Sequence, residues 1–353
     1  MAWPSRGSSY ATLVRQVQST KSLEKSPDIT GQEHTAVYTA GTKIASEDVW
    51  LSKAGPSGTM ACLDKCTGQE GLIMNVLQIR HVLCPMDLSP VSMNALEWAN
   101  AVARARRAEL RMLHVVAPGG IVPPENLGFG ERDEMITKLR GALTSIDPDN
   151  RLAGAAITQG DPGGQILQFA RSKSAGLIVL GAAGAERPER PIGSVTAIVV
   201  ARSDCPVLIV PTGRRVKSQR AGLFERIVCA IDLTPSSISV MKQALALAWE
   251  THGHLVYLCV MTEPHPSASE VRHQILTAVP PEADAWCEVE VVVKAGFPTT
   301  EIVRIAESST VDLLVIGPPR QWTSTTQAVL AKSLCPVLVT HDARPLPYPT
   351  RSE

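Results

Sequence analysis

The sequence predicts an α/β fold made of two tandem domains, each with helices around a five-stranded parallel sheet. One observation is an internal repeat, because the segment HVLCPMDLSP at residues 81–90 returns as RIVCAIDLTP at residues 226–235. A second matching pair, SDCPVLIV at 203–210 and SLCPVLVT at 333–340, lies near the end of each copy. Self-similarity on this scale is typical of one domain copied in tandem. The other observation is a regular alternation of short apolar runs with amphipathic segments, which indicates strands joined by helices.

The composition is that of an ordinary globular protein. Of 353 residues, 44% are hydrophobic, and lysine plus arginine balance aspartate plus glutamate at 34 each. Nucleic-acid-binding surfaces usually carry a basic excess, so that class of partner is disfavoured. No apolar stretch reaches the length of a membrane-spanning helix, and the N-terminus lacks the apolar core of a secretory signal. Four of the eight cysteines recur as repeat-related pairs in or beside apolar strands, which favours a reducing, cytoplasmic location.

Composition and periodicity divide the chain into four regions. Residues 1–75 are rich in small and polar residues without strand or helix periodicity, so we predict a disordered leader. Residues 76–213 are predicted to form the first domain and residues 221–342 the second, joined by a short basic linker. The proline-rich tail at 343–353 is predicted to be irregular.

Each element of the first domain has a local signal. The apolar run at 80–86 predicts a strand covered on both faces, and Pro90 occupies a favoured first-turn position of a helix that extends to about Arg107. Four apolar residues share one face of this helix: Leu96, Ala99, Val102 and Ala103. The later strands are predicted at 110–116, 152–158, 177–180 and 207–210, and the later helices at 131–143, 164–173 and 195–201. The second domain repeats this order from Phe224 to about Thr340.

An aspartate follows the first strand of each domain, Asp87 in the first and Asp232 in the second. In doubly wound sheets, ligands bind beyond the carboxyl ends of the strands, where the strand order reverses. An aspartate at that place can accept hydrogen bonds from a ligand, but it is also a favoured cap for the following helix. Because both copies keep the residue, both interpretations remain open.

The connection after the fourth strand of the first domain is rich in glycine. Gly181 and Gly184 are followed by Gly193 and Ser194 at a predicted helix start. Glycine lets the backbone approach a ligand closely, and the free amides and dipole at a helix N-terminus favour a phosphate. A flexible surface turn is the alternative interpretation of three glycines in a loop.

The second domain differs at this connection, which is shorter there and reads GPPRQWTS from Gly317. Proline has no amide hydrogen to donate. We therefore expect the prolines to close the pocket of the second domain and a phosphate site to be confined to the first. Relaxed drift of the second copy also fits this difference.

These segments resemble the universal stress protein family over about residues 77–340. The resemblance rests on five segments in family order: CPMDLS at 84–89, LHVV at 113–116, GDP at 160–162, LIVLG at 177–181 and CPVLIV at 205–210. Nucleotide-binding members of the family are similar in carrying G-x2-G-x9-G-[S/T] after the fourth strand. This chain has eight residues instead of nine in the long gap.

The resemblance implies a flavodoxin-like or Rossmann-like sheet with strand order 3-2-1-4-5 in each domain. It also implies that the first domain binds an adenine nucleotide, ATP, and it leaves open whether Mg²⁺ accompanies the phosphates. Asp87 and Val115 are then expected near the nucleoside. The residues expected around the phosphates are Gly181, Gly184, Gly193, Ser194 and Val195.

The last strand of each domain is an edge in that order. Residues 207–210 and 337–339 are too apolar for edges exposed to water. We therefore expect the two edges to face each other in an intramolecular pseudo-dimer, like the homodimer usual in the family. A homodimer of the whole chain is also left open.

The predicted function is stress-response regulation through ATP bound in the first domain, with a structural second domain. Two alternatives stay open: an interaction module that binds no nucleotide and, less favoured, a slow ATPase. The sequence contains no recognisable set of nucleophile, base and acid. A non-enzymatic role is therefore favoured, although the sequence does not decide the question.

Overall fold

The computed structural model describes both repeats and one short segment of the leader. The described residues are 36–39, 79–117, 129–149, 153–183, 192–216, 223–262, 267–308, 310–318 and 324–341. Predictions for the rest of the leader, for Gly184 and for the tail at 343–353 lie outside them.

Alternating strands and helices build the first repeat in the predicted order, after a leader strand β1 (Ala36–Thr39). Its strands are β2 (His81–Pro85), β3 (Glu109–Val116), β4 (Ala153–Gln159), β5 (Leu177–Gly181) and β6 (Val207–Val210). Its helices are α1 (Pro90–Arg106), α2 (Phe129–Ile146), α3 (Pro162–Ser172) and α4 (Ser194–Arg202). The predicted bounds of these elements therefore hold to within about three residues.

The second repeat has the same order of strands. They are β7 (Arg226–Ile231), β8 (His254–Met261), β9 (Glu288–Ala295), β10 (Leu313–Ile316) and β11 (Val337–Val339). The helices are α5 (Pro235–Thr251), α6 (Ala268–Thr277), α7 (Ala283–Trp286), α8 (Pro298–Ala306) and α9 (Ser324–Lys332). Among the described residues, no helix combines the length and apolar character needed to cross a bilayer.

The eleven described strands join one sheet in the order β1-β9-β8-β7-β10-β11-β6-β5-β2-β3-β4. Within each repeat five neighbouring strands are parallel and follow the order 3-2-1-4-5, as expected. The prediction of two five-stranded sheets needs one correction, because β6 and β11 pair antiparallel and merge them into one sheet. An open edge leaves N–H and C=O groups without partners, and this pairing supplies those partners to both edges.

One strand comes from the leader that was predicted to be disordered. β1 pairs antiparallel with β9, from Ala36 opposite Val293 to Thr39 opposite Glu290. The prediction of disorder is therefore wrong for these four residues. Valine, tyrosine and threonine favour strands, but four residues are too short a pattern to stand out, and the partner strand lies far away in the sequence.

Helix α1 buries the face that the sequence predicts. Its four face residues, Leu96, Ala99, Val102 and Ala103, are all buried, and the helix packs on β2 and β5. Burying each of the two larger side chains, Leu96 and Val102, contributes roughly 1.5–3 kcal/mol. The helix ends at Arg107, whose left-handed conformation (φ 51°) stops it and turns the chain toward β3.

Side chains of both repeats meet beside the β6–β11 pair. Trp98 stacks on Phe224 with ring centroids 5.9 Å apart, and the Arg106 guanidinium pairs with the Glu250 carboxylate over 2.7 Å. An apolar cavity of about 200 Å³ lies between the repeats here, lined by residues from both. These contacts join the repeats through side chains as well as through the sheet.

The cysteines of the described residues behave as small buried side chains, as predicted. Those six cysteines are free thiols, and all but Cys205 are buried. Burial strongly raises the pKa of the Cys84 and Cys229 thiols, so they remain protonated. Cys62 and Cys66 lie outside the described residues.

Candidate functional site

The turn after β2 holds Asp87 at the carboxyl end of the strand. The Ser89 amide donates to Asp87 Oδ1 over 3.0 Å, and Leu88 between them adopts a left-handed conformation (φ 61°) that is strained for leucine. The side chain of Ser89, not that of Asp87, caps α1 by accepting from the Ser92 amide at 3.2 Å. The helix-cap interpretation of Asp87 is therefore wrong. Its carboxylate is exposed and lies beyond the carboxyl end of β2.

In the corresponding turn of the second repeat, three hydrogen bonds converge on one carboxylate oxygen. Leu233 has the same left-handed conformation (φ 60°). Asp232 Oδ1 accepts from the Thr234 amide at 3.1 Å, from Thr234 Oγ1 at 2.7 Å and from Ser237 Oγ at 2.7 Å. Partial burial opposes ionisation of Asp232, but these hydrogen bonds outweigh it and lower the pKa of the carboxyl. Asp232 is therefore a carboxylate at neutral pH.

Val115 lies at the carboxyl end of β3, next to the Asp87 turn. β3 pairs with β2 up to Pro85 opposite Leu113, so Val115 extends beyond the last residue of β2. The adjacent His114 contacts the Met86 carbonyl oxygen through Nδ1 at 2.7 Å and ties the two strand ends together. Val115 is half-buried and offers an apolar surface near the Asp87 turn.

Gly181 ends β5 and lies close to α1. A Cβ atom on Gly181 would be 2.3 Å from Val91 Cγ1 and 3.3 Å from the Val91 carbonyl oxygen, which no side chain tolerates without movement. The corresponding Gly317 is less crowded, since a Cβ there would be 3.3 Å from Val240 Cγ2. Close packing of the first helix on the fourth strand is thus a sufficient reason for Gly181.

Helix α4 begins against the end of β5. The Gly193 amide donates to the Ala182 carbonyl oxygen over 2.8 Å, and Thr196 Oγ1 donates to the Gly181 carbonyl oxygen over 2.9 Å. Gly193 is the N-cap residue and supplies no side-chain cap, and the first turn contains no acidic residue. The amides of this turn, including those of Ser194 and Val195, are thereby left without a side-chain acceptor at the cap.

The residues predicted to form the first repeat's site thus lie at neighbouring strand ends. β2 pairs with β3 on one side and with β5 on the other, so the Asp87 turn and the start of α4 meet where the strand order reverses. Asp87, Val115, Gly181 and Gly193 therefore lie at the same end of the sheet, the end where the parallel strands of the first repeat have their carboxyl termini. Gly184 and the residues up to 191 lie outside the described ranges.

Sequence reasoning missed Thr196, which anchors α4 on β5. A threonine in the first helical turn after a Gly-Ser pair was the available signal. The described residues contain no group of three or more His, Cys, Asp or Glu side chains that could hold a metal ion.

The second repeat has an open cleft at the carboxyl ends of its strands. The cleft has a volume of about 330 Å³ and lies between the ends of β7 and β10 and the starts of α5, α8 and α9. The expectation of a closed pocket is therefore wrong for Pro318, while Pro319 lies outside the described residues. Pro318 lines the cleft instead of filling it, and the hydrogen bond between Thr299 Oγ1 and Thr325 Oγ1, 2.7 Å long, holds α8 and α9 together.

Comparison with known proteins decides the family. A model of the universal stress protein family matches residues 78–211 and 223–341, one match in each repeat. The chain belongs to the universal stress protein family. Universal stress protein MJ0531 of Methanocaldococcus jannaschii is 32% identical to this family member over 138 residues, which are 37% of this chain and 81% of that protein. YxiE of Bacillus subtilis, also a universal stress protein, is 32% identical over 143 residues, covering 36% of this chain and 97% of that protein.

Solved universal stress protein structures share the two-repeat fold. One from Archaeoglobus fulgidus aligns with 76% of this chain and 98% of its own, with a TM-score of 0.58 and 22% identity. A putative universal stress protein from Pseudomonas aeruginosa UCBPP-PA14 aligns with 76% of this chain and 95% of its own, with a TM-score of 0.53 and 17% identity. At these identities the similarity shows the fold alone.

Proposed function

We propose that this universal stress protein is a stress-response regulator that binds ATP in the crevice of its first repeat. The observation that carries the proposal is the start of α4. Its first turn is anchored to the end of β5 by two hydrogen bonds and has no side-chain cap. β5 in turn pairs with β2, the strand that precedes Asp87.

The start of α4 has the properties of a phosphate site. Uncapped amides and the positive end of the helix dipole attract an anion. Gly193 has no side chain to occupy that position, and its extended conformation (φ −71°, ψ 148°) turns the chain into the helix. Ser194 is exposed and adds a hydroxyl donor. Glycine at 184 is assigned to the same phosphate site from the sequence pattern.

The nucleoside end of the proposed site consists of Asp87 and Val115. The exposed Asp87 carboxylate can accept hydrogen bonds from ribose hydroxyls, and half-buried Val115 offers an apolar contact for the base. Any Mg²⁺ would be held chiefly by the phosphates, since the described residues contain no metal-binding cluster.

We assign a structural role to the second repeat. Antiparallel pairing of β6 with β11 and the Arg106–Glu250 ion pair support reading the chain as a pseudo-dimer of its own repeats. We further propose a cytoplasmic location, which the free, mostly buried thiols support.

Replacing Gly193 tests the phosphate site. Gly193→Asp is expected to weaken ATP binding at least about tenfold, which corresponds to about 1.4 kcal/mol. Aspartate caps a helix well but places a negative charge where the phosphates bind. Gly193→Asn caps the helix without the charge, so it is expected to bind ATP more tightly than the aspartate variant and more weakly than glycine. Calorimetric titration with ATP measures the affinities, and thermal unfolding shows that both variants remain folded.

Equal ATP affinity of the wild type and both variants would place the phosphates elsewhere. Failure of the wild type to bind ATP at millimolar concentration would favour a nucleotide-free interaction module. Release of phosphate over many turnovers, abolished by Asp87→Asn, would favour an ATPase.

A further inference from the structure

Strand β4 is the last strand of the sheet on the side of the first repeat. Its one neighbour among the described strands is β3, which pairs with it in parallel along residues 153–159. The Gly160 amide donates to the Val116 carbonyl oxygen of β3 over 3.0 Å. Because the backbone groups of successive strand residues point to alternate sides, those of residues 154, 156 and 158 also face β3. The amides and carbonyl groups of residues 153, 155, 157 and 159 therefore face outward.

The residues of β4 do not protect this outer edge against pairing. Proteins usually guard an edge strand with charged side chains, a proline or a bulge. Residues 153–159 read AGAAITQ, so the strand contains neither a charge nor a proline, and its register with β3 runs without a bulge. All seven residues are half-buried. The edge is therefore regular, uncharged and suited to a further strand.

The equivalent strand of the second repeat, β9, has an antiparallel strand on its outer edge. Gly160 after β4 and Gly296 after β9 both have a positive φ and mark equivalent positions, so residues 154–157 correspond to residues 290–293. The leader strand β1 pairs with residues 290–293. β9 accepts it although the strand carries Glu288, Glu290 and Lys294. The uncharged edge of β4 is thus the better template of the two, and no described strand covers it.

A second copy of the chain is complementary to this edge. Two β4 strands related by a two-fold axis pair antiparallel, and the register that uses the whole strand is centred on Ala156. Ala155 then lies opposite the partner subunit's Ile157, and because β4 has no charged residue, no like charges meet. The chain already pairs the equivalent last strands of its repeats, β6 and β11, in the same antiparallel manner. Those two edges are thereby occupied, which leaves β4 for a second copy.

We propose that the chain forms a two-fold homodimer in which β4 pairs antiparallel with β4 of a second copy and joins the two sheets into one. The outward amides and carbonyl groups of residues 153, 155, 157 and 159 then hydrogen-bond across the axis. Ala156 faces its own equivalent as a non-hydrogen-bonded pair, which brings the two Cα atoms to about 4.5 Å. This dimer is independent of nucleotide binding, because β4 contributes no residue to the proposed ATP site.

Oxidative cross-linking of the full chain tests the position and the register of this contact. Ala156→Cys should give a disulfide-linked dimer, since its two Cα atoms lie within the range that a disulfide spans. Ala155→Cys is the matched control, because the two copies of position 155 are diagonal neighbours about 7–8 Å apart, too far for a disulfide. The wild type, oxidised in the same way, accounts for the native thiols.

Sedimentation equilibrium of the full chain measures the association itself. The wild type should have twice the mass of one chain. Ala156→Lys places two ammonium groups opposite each other at a covered position and should weaken dimerisation about tenfold. Ala156→Val, which introduces a residue that favours strands, should keep the dimer. Thermal unfolding shows whether both variants remain folded.

Three outcomes would overturn the β4 dimer. The first is a wild type that stays monomeric at its highest soluble concentration. The second is a dimer that cross-links equally well through positions 155 and 156, or through neither, because the contact would then lie elsewhere. The third is a dimer of the folded Ala156→Lys variant as stable as that of the wild type. A cross-link specific to position 156, together with a weakened lysine variant, supports the proposal.

Discussion

Replacing Gly181 by alanine is expected to destabilise the protein by about 2–3 kcal/mol, whereas Gly317→Ala is expected to cost less than about 1 kcal/mol. The added methyl group at 181 would lie 2.3 Å from Val91 Cγ1, against 3.3 Å from Val240 Cγ2 at 317. A valine in a helix has one strongly preferred rotamer, so Val91 cannot turn away cheaply. Neither glycine has a positive φ, and crowding alone makes the difference.

Urea-induced unfolding of the two variants measures this difference. Val91→Ala provides the control, because it removes the crowding atom: Gly181→Ala should be far less harmful in that background, giving a coupling free energy well above about 0.5 kcal/mol. The same loss of stability in both backgrounds would show that Gly181 is needed for some reason other than its packing on α1.

Replacing Glu290 by glutamine is expected to stabilise the protein by about 2–3 kcal/mol at pH 8 and to change little at pH 5. Glu290 lies on β9 and is only 3% exposed. Its Oε1 is buried without a hydrogen-bond partner among the described residues. Burial, and secondly the charge of Glu288, raise the pKa of Glu290 from 4.5 to about 7. Glutamine imitates the neutral carboxylic acid that the folded state prefers.

The sign of the pH dependence follows from this pKa. A carboxyl whose pKa is raised in the folded state contributes its full stability below pH 4.5, and the contribution is lost as the pH rises through about 7. His254 has the opposite effect on the pH dependence of stability. Its Nε2 lies 3.9 Å from Glu290 Oε2. Burial is the main cause that lowers its pKa, so the protein loses stability as acid protonates it.

Urea unfolding between pH 5 and pH 8.5 tests the assignment. The wild type should lose this contribution as the pH rises from 4.5 through about 7, and the glutamine variant should not. Glu288→Gln serves as the comparison, because Glu288 is exposed and should move the midpoint of this loss to lower pH without removing it. Parallel pH profiles of the wild type and Glu290→Gln would contradict the assignment to Glu290.

The order of strands was predictable because each element has a local signal. The continuous apolar run of β2, Pro90 at the start of α1 and the repeated CPV segment before β6 and β11 all recur in the second copy. Because the two copies repeat the same signals, an element predicted in one copy supported the prediction of the same element in the other. The edge pairing was predictable for a physical reason, since two strongly apolar last strands had to be covered.

Other features depend on contacts that local sequence does not reveal. β1 exists through pairing with a strand of the second repeat. In the Asp-Leu-Ser-Pro turn, Ser89 caps α1 and Asp87 does not. Leu88 between them is left-handed, and the residue types alone do not reveal this conformation. Thr299 on α8 and Thr325 on α9 are hydrogen-bonded although 26 residues apart in the sequence, and Pro318 lines a cleft that its residue type could not indicate.

The backbone amides of Ser194, Val195 and Thr196 offer the most direct test of phosphate binding in the first repeat. Two-dimensional amide NMR of the isotope-labelled chain would compare saturation with ATP and with adenosine. We expect these amide resonances to shift with ATP and to move far less with adenosine. Phosphate-dependent shifts confined to other residues, with the α4 amides unmoved, would contradict the account.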